Sequence, residues 1–585
     1  MRLVRMALGT RLVRVFALVL ALSPFLASAR ESDQQPLADP AYTPEKQDDL
    51  RSLNPSPYSP DAPHDAAPTS ACALTHVATA NSPGKLHDAI STMQTEYFAL
   101  WLGKWTTAVD WTAAVMNTYL TGVLSALSGT SDRSRTLDSE AQKVENEINK
   151  YFSQSTTYFF GEDIFAIRNQ AFDDMLWVVL GWLDSIKFIE AHTGRHFPRA
   201  TEQDEGDWHG TQFIPVFSHR ARVFYELAEE GWGEKLCGGG MVWNPRLLPY
   251  KNAITNELFI SASVEMYLHF PGDNNSSPFM VAAKGNEGSS TYDAKFLTNA
   301  VAGYDWLKNS NMTNEQGLYV DGFHIKDHAH NRSKTECDER NEMVYSYNQG
   351  VVLTGLRGLW EATGNLTYLL DGHELIRNVM HATGWTSSST SSPITSSTWS
   401  GLGADGILTE LCDPAGACSQ DGQTFKGIFF HHLVAFCAPL PATPVQRGKT
   451  FAAGRELRVL HRRSCNGYLK WVVHNAGAAW STRDEKGRFG AWWGVGGEAG
   501  LRDAALLPQG AVDYRNKDPR FAMADGDSHQ EPVFRRMSKG PPVHGKGDLN
   551  NRGRGRTVET QGGGVAVLRA EREFLRRWGE GEADD

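Results

Sequence analysis

The apolar residues of this chain recur with helical spacing over most of its length. They return at i, i+3, i+4 and i+7 in ten segments, near 92–126, 138–158, 164–192, 215–229, 252–270, 292–309, 344–362, 366–383, 424–438 and 448–476. Clusters of Gly, Pro, Asn and Ser separate these segments, and strand-like alternation is scarce. The pattern predicts an all-α protein.

Two architectures can bury so many amphipathic helices: an α/α toroid, in which helical hairpins close into a ring, or an open helical solenoid. A solenoid repeats its sequence with a fixed period. No such period is visible here. We therefore expect a closed toroid, formed by a single domain over residues 85–502.

The N-terminus has the features of a secretory signal. Four arginines lie within the first 14 residues, an apolar run spans 15–26, and Ala27, Ser28 and Ala29 match a small-residue cleavage pattern. We predict a signal peptide over 1–29 and secretion, with an uncleaved anchoring helix as the alternative. The run is too short to span a bilayer comfortably.

The segments on either side of the helical region have a different composition. Residues 30–84 are predicted to be a flexible leader, because the stretch 30–70 is rich in Pro, Ser, Asp and Ala and has no apolar period. Residues 503–585 are predicted to be a disordered tail, in which the last residues could form a short helix. Because no apolar stretch follows them, a lipid-anchor signal is not expected.

Charge and cysteine content narrow the possible partners and the compartment. The net charge of −11 argues against nucleic-acid binding and fits a neutral ligand such as a sugar. In an oxidising compartment some of the seven cysteines should pair, and Cys412 with Cys418 is the first expectation. Five N-x-S/T sequons are plausible glycan sites, at Asn274, Asn275, Asn311, Asn331 and Asn365.

The sharpest candidate for chemistry is the acidic pair Asp173 and Asp174 on an apolar helix. Two carboxylates beside so much apolar surface are costly unless they are solvated or functional. At such close range one carboxyl keeps its proton while the other ionises, which is the pairing that a glycosidase needs. The alternative is an acidic pair that only stabilises the N-terminus of its helix.

Three further clusters could bind a ligand or supply an acid. Residues 237–268 combine three glycines with Trp243, Tyr250 and asparagines, and residues 345–369 place Asn348 and Gln349 at a helix start. Aromatic faces with polar groups at the rim are typical of sugar sites. The third cluster, 406–433, carries Glu410, Asp413, Asp421 and Lys426.

Metal and nucleotide chemistry have weaker support. His324, His328 and His330 could ligate a metal, but no Glu or Cys stands beside them at a familiar spacing. The motifs G-x-S-x-G, H-E-x-x-H and the P-loop are absent from the sequence. The histidine metal site is therefore a weak alternative, and the missing motifs remove the common hydrolase and nucleotide-binding classes.

Taken in order, the motifs of these clusters resemble one known family. They are DDMLW (173–177), GGGMVWNP (238–245), KNAITNELF (251–259), YNQGVVLTGL (347–356), TGNLTYL (363–369), GILTELCD (406–413), FKGIFFHHL (425–433) and NAGAAWSTRDEKGRFGAWWGVG (475–496). The ordered set resembles glycoside hydrolase family 76, in its fungal branch of mannan endo-1,6-α-mannosidases.

The resemblance implies an (α/α)6 barrel that acts on α-1,6-linked mannan, or on another mannose-containing glycan, by retaining chemistry. It implies Asp173 as nucleophile and Asp174 as general acid/base, and it implies no metal and no organic cofactor. The substrate contacts that it implies are Trp177, Trp243, Asn252, Tyr347, Asn348 and Gln349. A monomer in the secretory pathway, associated with the cell wall or a membrane surface, is expected.

Two other functions remain open at this point. One is a transglycosylase that moves the mannose glycan of lipid-anchored proteins onto wall glucan. The other is a wall protein that binds carbohydrate without catalysis.

Overall fold

A computed structural model describes residues 71–130, 139–198, 207–273, 291–386, 394–395, 398–496, 507–516 and 547–584. The predicted signal peptide, most of the predicted leader, and Asn274 and Asn275 lie outside these ranges. Within them, no helix combines the length and the apolar character needed to cross a bilayer.

The described residues are predominantly helical. The helices are α1 (Ala71–Glu96), α2 (Asp110–Thr130), α3 (Ser139–Gly161), α4 (Ile164–Ile167), α5 (Phe172–His196), α6 (Ile214–Glu229), α7 (Ala253–His269), α8 (Ala294–Asn309), α9 (Ser346–Thr363), α10 (Thr367–Ala382), α11 (Phe425–Phe436), α12 (Arg455–Gly467), α13 (Leu469–Ser481) and α14 (Val558–Asp584). Short 3-10 turns occur at His209–Phe213, Gly422–Thr424, Trp493–Gly496 and Leu549–Asn551.

The connections between helices contain short antiparallel strands. They are β1 (Phe98–Ala99), β2 (Lys104–Trp105), β3 (Tyr250–Asn252), β4 (Gly322–His324), β5 (Glu339–Asn341), β6 (Trp385–Thr386), β7 (Ile394–Thr395), β8 (Gly403–Ala404) and β9 (Ile407–Leu408). Strands β3, β4 and β5 make a three-stranded sheet, with Asn252 opposite Gly322 and Gly322 opposite Asn341. The other strands pair as two-stranded hairpins.

Six helices form a closed inner ring. In order around the ring, α2 packs on α5, α5 on α7, α7 on α9, α9 on α11, α11 on α14, and α14 on α2. The outer helices α3, α6, α8 and α10 each pack on the inner helix that precedes them, while α13 and α1 both pack on α14. The predicted (α/α)6 barrel is therefore confirmed.

The inner helices all begin at the same end of the ring, which we call the mouth. Residues of their first turns meet there: Thr112 of α2 donates a hydrogen bond to Glu559 of α14 (2.7 Å), and Tyr347 of α9 stacks on Phe425 of α11 (3.9 Å between ring centroids). The opposite end, where these helices finish, is the far end.

The predicted boundaries of the domain were wrong at both ends. Helix α1 begins at Ala71, inside the predicted leader, and α14 is an inner helix formed from the predicted disordered tail. Three consecutive glycines, 562–564, lower the helical propensity of this segment, but they allow close packing: a Cβ on Gly564 would lie 2.4 Å from the Phe489 ring. The domain therefore extends through α14.

Three disulfides cross-link the barrel, and they include the predicted pair Cys412–Cys418. Cys237 pairs with Cys337 across 100 residues, and Cys437 pairs with Cys465 across 28 residues. Disulfides of this number are typical of proteins in an oxidising compartment. Asn311, Asn331 and Asn365 are exposed, so the geometry leaves their predicted glycosylation open.

Candidate active site

Asp173 and Asp174 lie in the first turn of α5, at the mouth of the ring. The Asp174 carboxylate accepts a hydrogen bond from the backbone N–H of Ala171 (3.0 Å), and the Asp173 carboxylate accepts one from the N–H of Asp174 (3.1 Å). The pair thus caps the helix, as the structural alternative required. Asp173 is in addition buried among other polar groups at the mouth, which capping alone does not require.

The two carboxyl groups have different pKa values and therefore differ in charge. Asp173 is 5% exposed, and burial raises its pKa to about 6 against the opposing effect of Arg515. Burial, together with the neighbouring Asp173, raises the pKa of Asp174 well above its ordinary value. Near neutral pH, therefore, Asp173 is mainly ionised while Asp174 holds a proton.

Arg515 is the cation of this site. Its Nη2 lies 3.9 Å from Oδ2 of Asp173, and its guanidinium lies over the ring of Trp243 at 4.8 Å. Burial alone would lower the pKa of Arg515, but Tyr347, Asp321 and Asp173 raise it well above the ordinary value. Arg515 consequently stays charged and favours the ionised form of Asp173.

Residues 507–516 cross the mouth and bring Arg515 to the carboxylates. The Asn341 side chain exchanges hydrogen bonds with the backbone of Val512 (2.8 and 3.0 Å). Tyr345 donates to the Asp513 carboxylate at 2.5 Å, and Asn516 accepts from the N–H of Ser419 at 2.8 Å. These contacts on β5, on the start of α9 and on the loop before α11 fix the segment in place.

Two tryptophans form an aromatic wall next to the acids. Trp177, one turn after Asp173, is buried and stacks on Trp111 with 5.7 Å between ring centroids. The indole N–H of Trp111 donates to Asp421 (3.1 Å), a carboxylate that helps to raise the pKa of Asp174. Asp421 is therefore the member of the 406–433 cluster whose charge acts on Asp174.

The structure brings some of the predicted sugar contacts to the carboxylates. Trp243 is half-buried beside Asp173 and Arg515, and Tyr347 is buried within electrostatic reach of both. Asn252 caps α7 through a hydrogen bond to the N–H of Thr255.

Asn348 and Gln349 differ in whether their side-chain amides are already hydrogen-bonded within the protein. Asn348 is fully buried, and neither its amide oxygen nor its amide nitrogen has a hydrogen-bond partner among the described residues. Gln349 bonds instead to the backbone N–H and C=O of Tyr319 and to the C=O of Tyr345. That commitment favours a structural role for Gln349.

Several buried polar groups near the mouth lack partners within the described part of the chain. They include both carboxylate oxygens of Glu257, Oδ1 of Asp321, Nδ2 of Asn252 and the hydroxyl of Tyr347. Native proteins rarely leave such groups unpaired unless a ligand or water completes them. Burial raises the pKa of Glu257 well above its ordinary value, with Asp321 adding to the effect, so that Glu257 holds a proton that it can donate.

The remaining residues of the 406–433 cluster form a buried network. Lys426 pairs with Asp413 at 2.6 Å, and Asp413 accepts from the N–H of Glu410 at 2.9 Å. Burial raises the pKa of Glu410 to about 7, and this carboxylate accepts from the backbone and hydroxyl of Ser346 at the start of α9. The network thus holds the first residue of α9, Ser346, in place.

The histidines considered as metal ligands do not converge. His324 stacks on Tyr250 with 4.0 Å between ring centroids, whereas His328 bonds to the carbonyl of Lys334. Among the described residues, the two groups with metal-like spacing are His373, His461 and Cys465, and Cys412, Asp413 and Cys418. Each contains a disulfide-bonded cysteine, which is not available as a thiolate.

Arg515, Asp321, Trp111 and Glu257 were not predicted from the sequence. Arg515 and Asp321 lie in irregular segments without periodicity, while Trp111 and Glu257 look like ordinary members of amphipathic helices. A weak signal was present for Arg515, since residues 511–515 carry Val, Asp, Tyr and Arg within an otherwise Gly- and Pro-rich stretch.

The fold and the site define a helical-barrel protein with a carboxylate pair, buried Asp173 and half-buried Asp174, at the mouth of its inner ring. Residues 288–498 match the family model for glycosyl hydrolase family 76, which confirms the resemblance seen in the sequence. A curated relative is mannan endo-1,6-alpha-mannosidase DFG5 of Saccharomyces cerevisiae, 25% identical over 274 residues. That alignment covers 44% of this chain and 47% of the yeast protein, so the chain matches about half of its relative's length.

Solved structures with a similar course of the chain include bacterial and fungal proteins. An inactive variant of the alpha-1,6-mannanase GH76A of Salegentibacter sp. HEL1_6, in complex with alpha-1,6-mannotetrose, has 15% identity and a TM-score of 0.47, covering 84% of this chain and 99% of that chain. Dfg5 from Chaetomium thermophilum, in complex with glucosamine, has 15% identity and a TM-score of 0.44, covering 80% of each chain.

Proposed function

We propose that this protein is a secreted, retaining glycoside hydrolase that cleaves α-1,6-mannosidic bonds inside mannan chains. The observation that carries the proposal is the charge separation of Asp173 and Asp174 at the mouth of the barrel. The family match supports glycosidase activity, and the yeast relative's name motivates the choice of mannan. The disulfides support an extracellular location.

In the proposed first step, the ionised Asp173 attacks the anomeric carbon and the bond to the leaving oxygen breaks. Asp174 gives its proton to that oxygen, so that the departing chain leaves as an alcohol. In the second step Asp174, now a carboxylate, takes a proton from water while the oxygen of that water attacks the anomeric carbon. The ester to Asp173 breaks, and both side chains return to their initial states.

The unpaired polar groups support a ligand that carries many hydroxyls. Asn348, Asn252 and Glu257 offer both donors and acceptors, and Trp243 offers an aromatic face beside the carboxylates. A sugar binds through such a combination of stacking and hydrogen bonds. We infer that Arg515 preserves the ionised nucleophile rather than binding an anionic substrate, because its guanidinium is directed at Asp173.

The test is the incubation of purified protein with linear α-1,6-mannan or α-1,6-mannotetraose, with products identified by mass spectrometry and the first-formed anomer by NMR. We expect short oligosaccharides with retained configuration. Asp173→Asn and Asp174→Asn should each lose activity by at least about a hundredfold. The exposed Asp305 of α8 gives a matched control, Asp305→Asn, which should be fully active.

A parallel arm with an acceptor glycan separates hydrolysis from transfer. Release of free mannooligosaccharides in the presence of the acceptor supports hydrolysis. A product in which mannose is joined to the acceptor, with little hydrolysis, would instead identify a transglycosylase. If mannan binds but neither the wild type nor Asp173→Asn forms any product, the protein is a carbohydrate-binding protein and the proposal is wrong.

A further inference from the structure

A cavity of about 300 Å³ lies at the far end of the ring, away from the carboxylate pair. Its wall includes Asp184 and Lys187 of α5, which follow Asp173 by three turns, or about 16 Å along the helix axis. The later turns of α7, α9 and α11 line it as well, together with α2 and α14. It is therefore separate from the proposed catalytic site.

The wall of this far-end cavity is dense in charge. Three of its four basic side chains are paired with carboxylates: Lys187 with Asp184 (3.0 Å) and Glu265 (2.8 Å), Arg357 with Glu361 (2.9 Å), and Arg577 with Glu573 (3.2 Å). Each carboxylate of the wall thus already has a cation.

Arg569 is the fourth base, and within the described residues no carboxylate lies within ion-pair distance of it. Its Nη1 donates to Nδ1 of His431 (3.0 Å), and Nε2 of His431 donates to Asp184 (3.1 Å). Its Nε has no acceptor, and burial lowers its pKa. Glu573 and Asp184 act on this charge only from beyond ion-pair distance, and a largely enclosed cation without a direct ion pair is costly.

The local backbone makes room for this guanidinium. Gly122 of α2 lies directly against it, and a Cβ at that position would come within 2.7 Å of Nη1. The chain from Asp184 through His431 orients one edge of the guanidinium, and Arg569 lines the cavity. The result is a fixed, forked donor set beside an open volume.

We propose that the far-end cavity binds a small organic carboxylate, whose carboxylate group pairs with Arg569. A single unpaired positive charge matches a monoanion better than a dianion such as a phosphate monoester. Arginine forks match carboxylate geometry, and the volume suits a molecule about the size of one sugar ring. Phe188 and Val434, which also line the cavity, would contact the apolar part of the ligand.

The test is isothermal titration calorimetry of the full chain with glucuronate, with glucose as the uncharged control ligand. We expect saturable binding of glucuronate at millimolar concentration and no heat from glucose. Arg569→Gln should weaken binding about tenfold or more, because a charged hydrogen bond is lost. Arg569→Lys should fall between the two, since it keeps the charge and loses the fork.

Two controls locate the binding. Arg455→Gln removes an exposed arginine at the start of α12 and should leave the affinity unchanged. Asp173→Asn should also leave it unchanged, because the catalytic pair lies at the other end of the ring. The proposal is overturned if glucuronate does not bind, if glucose binds equally well, if inorganic phosphate binds more tightly, or if a folded Arg569→Gln protein retains wild-type affinity.

Discussion

The guanidinium of Arg515 lies 3.9 Å from the Asp173 carboxylate, although the two residues are far apart in the sequence. The α5 helix supplies the acid, and an irregular segment after the fifth inner helix supplies the cation. The charge state of the proposed nucleophile therefore depends on a contact between two distant parts of the chain.

The first prediction concerns the acidic limb of the pH–rate profile. Asp173 must be ionised to attack, and its pKa is about 6, so kcat/KM should rise through pH 6. Arg515→Gln removes the favourable charge and should move this limb to higher pH, with about a tenfold loss of kcat/KM at pH 5. Arg515→Lys keeps the charge and should move the limb less. An unshifted limb in a folded Arg515→Gln protein would contradict the electrostatic role.

The second prediction concerns stability at neutral pH. The pKa of Asp174 is raised in the folded protein, so its contribution to stability is complete below pH 4 and is lost as the pH rises toward the folded-state pKa. Asp174→Asn resembles the protonated acid and can still accept from Ala171. The variant should match the wild type at pH 4 and exceed it by about 1–2 kcal/mol at pH 7. Denaturant unfolding at both pH values, with Asp305→Asn as the control, measures the difference. Equal stability of the two proteins at pH 7 would refute the raised pKa.

The third prediction concerns the glycines of α14. Gly564→Ala places a Cβ 2.4 Å from the Phe489 ring and should destabilise the fold by about 1–3 kcal/mol. Gly579→Ala, on the exposed side of the same helix, meets no atom within 4 Å and should stabilise by about 0.5–1 kcal/mol. Thermal unfolding of the two variants tests the packing of α14. If both variants are stabilised, α14 is not held tightly against its neighbours.

The fourth prediction compares two disulfides. A cross-link restricts the unfolded chain more when it closes a longer loop. Replacing Cys237 and Cys337, which are separated by 100 residues, should cost about 4–5 kcal/mol, and replacing Cys412 and Cys418, separated by 6, about 2 kcal/mol. Both double alanine variants can be compared by urea unfolding. A reversed order would show that local packing, rather than loop entropy, governs their effect.

Helical periodicity predicted the outer helices well because each of them has one buried face. The segment predicted at 215–229 is helix Ile214–Glu229, and that at 366–383 is helix Thr367–Ala382. Periodicity failed where two helices follow closely: 448–476 contains α12 and the first part of α13, and 92–126 contains the end of α1, a hairpin and most of α2. Apolar residues continue through these turns, so the pattern alone shows no break.

The errors at the site have a different physical origin. Asp173 and Asp174 could be selected because adjacent acids on an apolar helix are a local anomaly. Arg515 could not, since its importance lies wholly in a contact with residues far away in the sequence. The last inner helix was missed because consecutive glycines weaken helical propensity, and the packing that compensates for them is tertiary.

The closure of the ring by α14 against α2 also constrains how the protein is made. The first inner helix ends at Thr130 and its final neighbour ends at Asp584. At a synthesis rate of roughly 5–20 residues per second, about 20–90 s separate the appearance of the two helices. Throughout that interval the nascent chain exposes the apolar faces that α14 will later cover. The inner ring therefore cannot close before α14 has been synthesised.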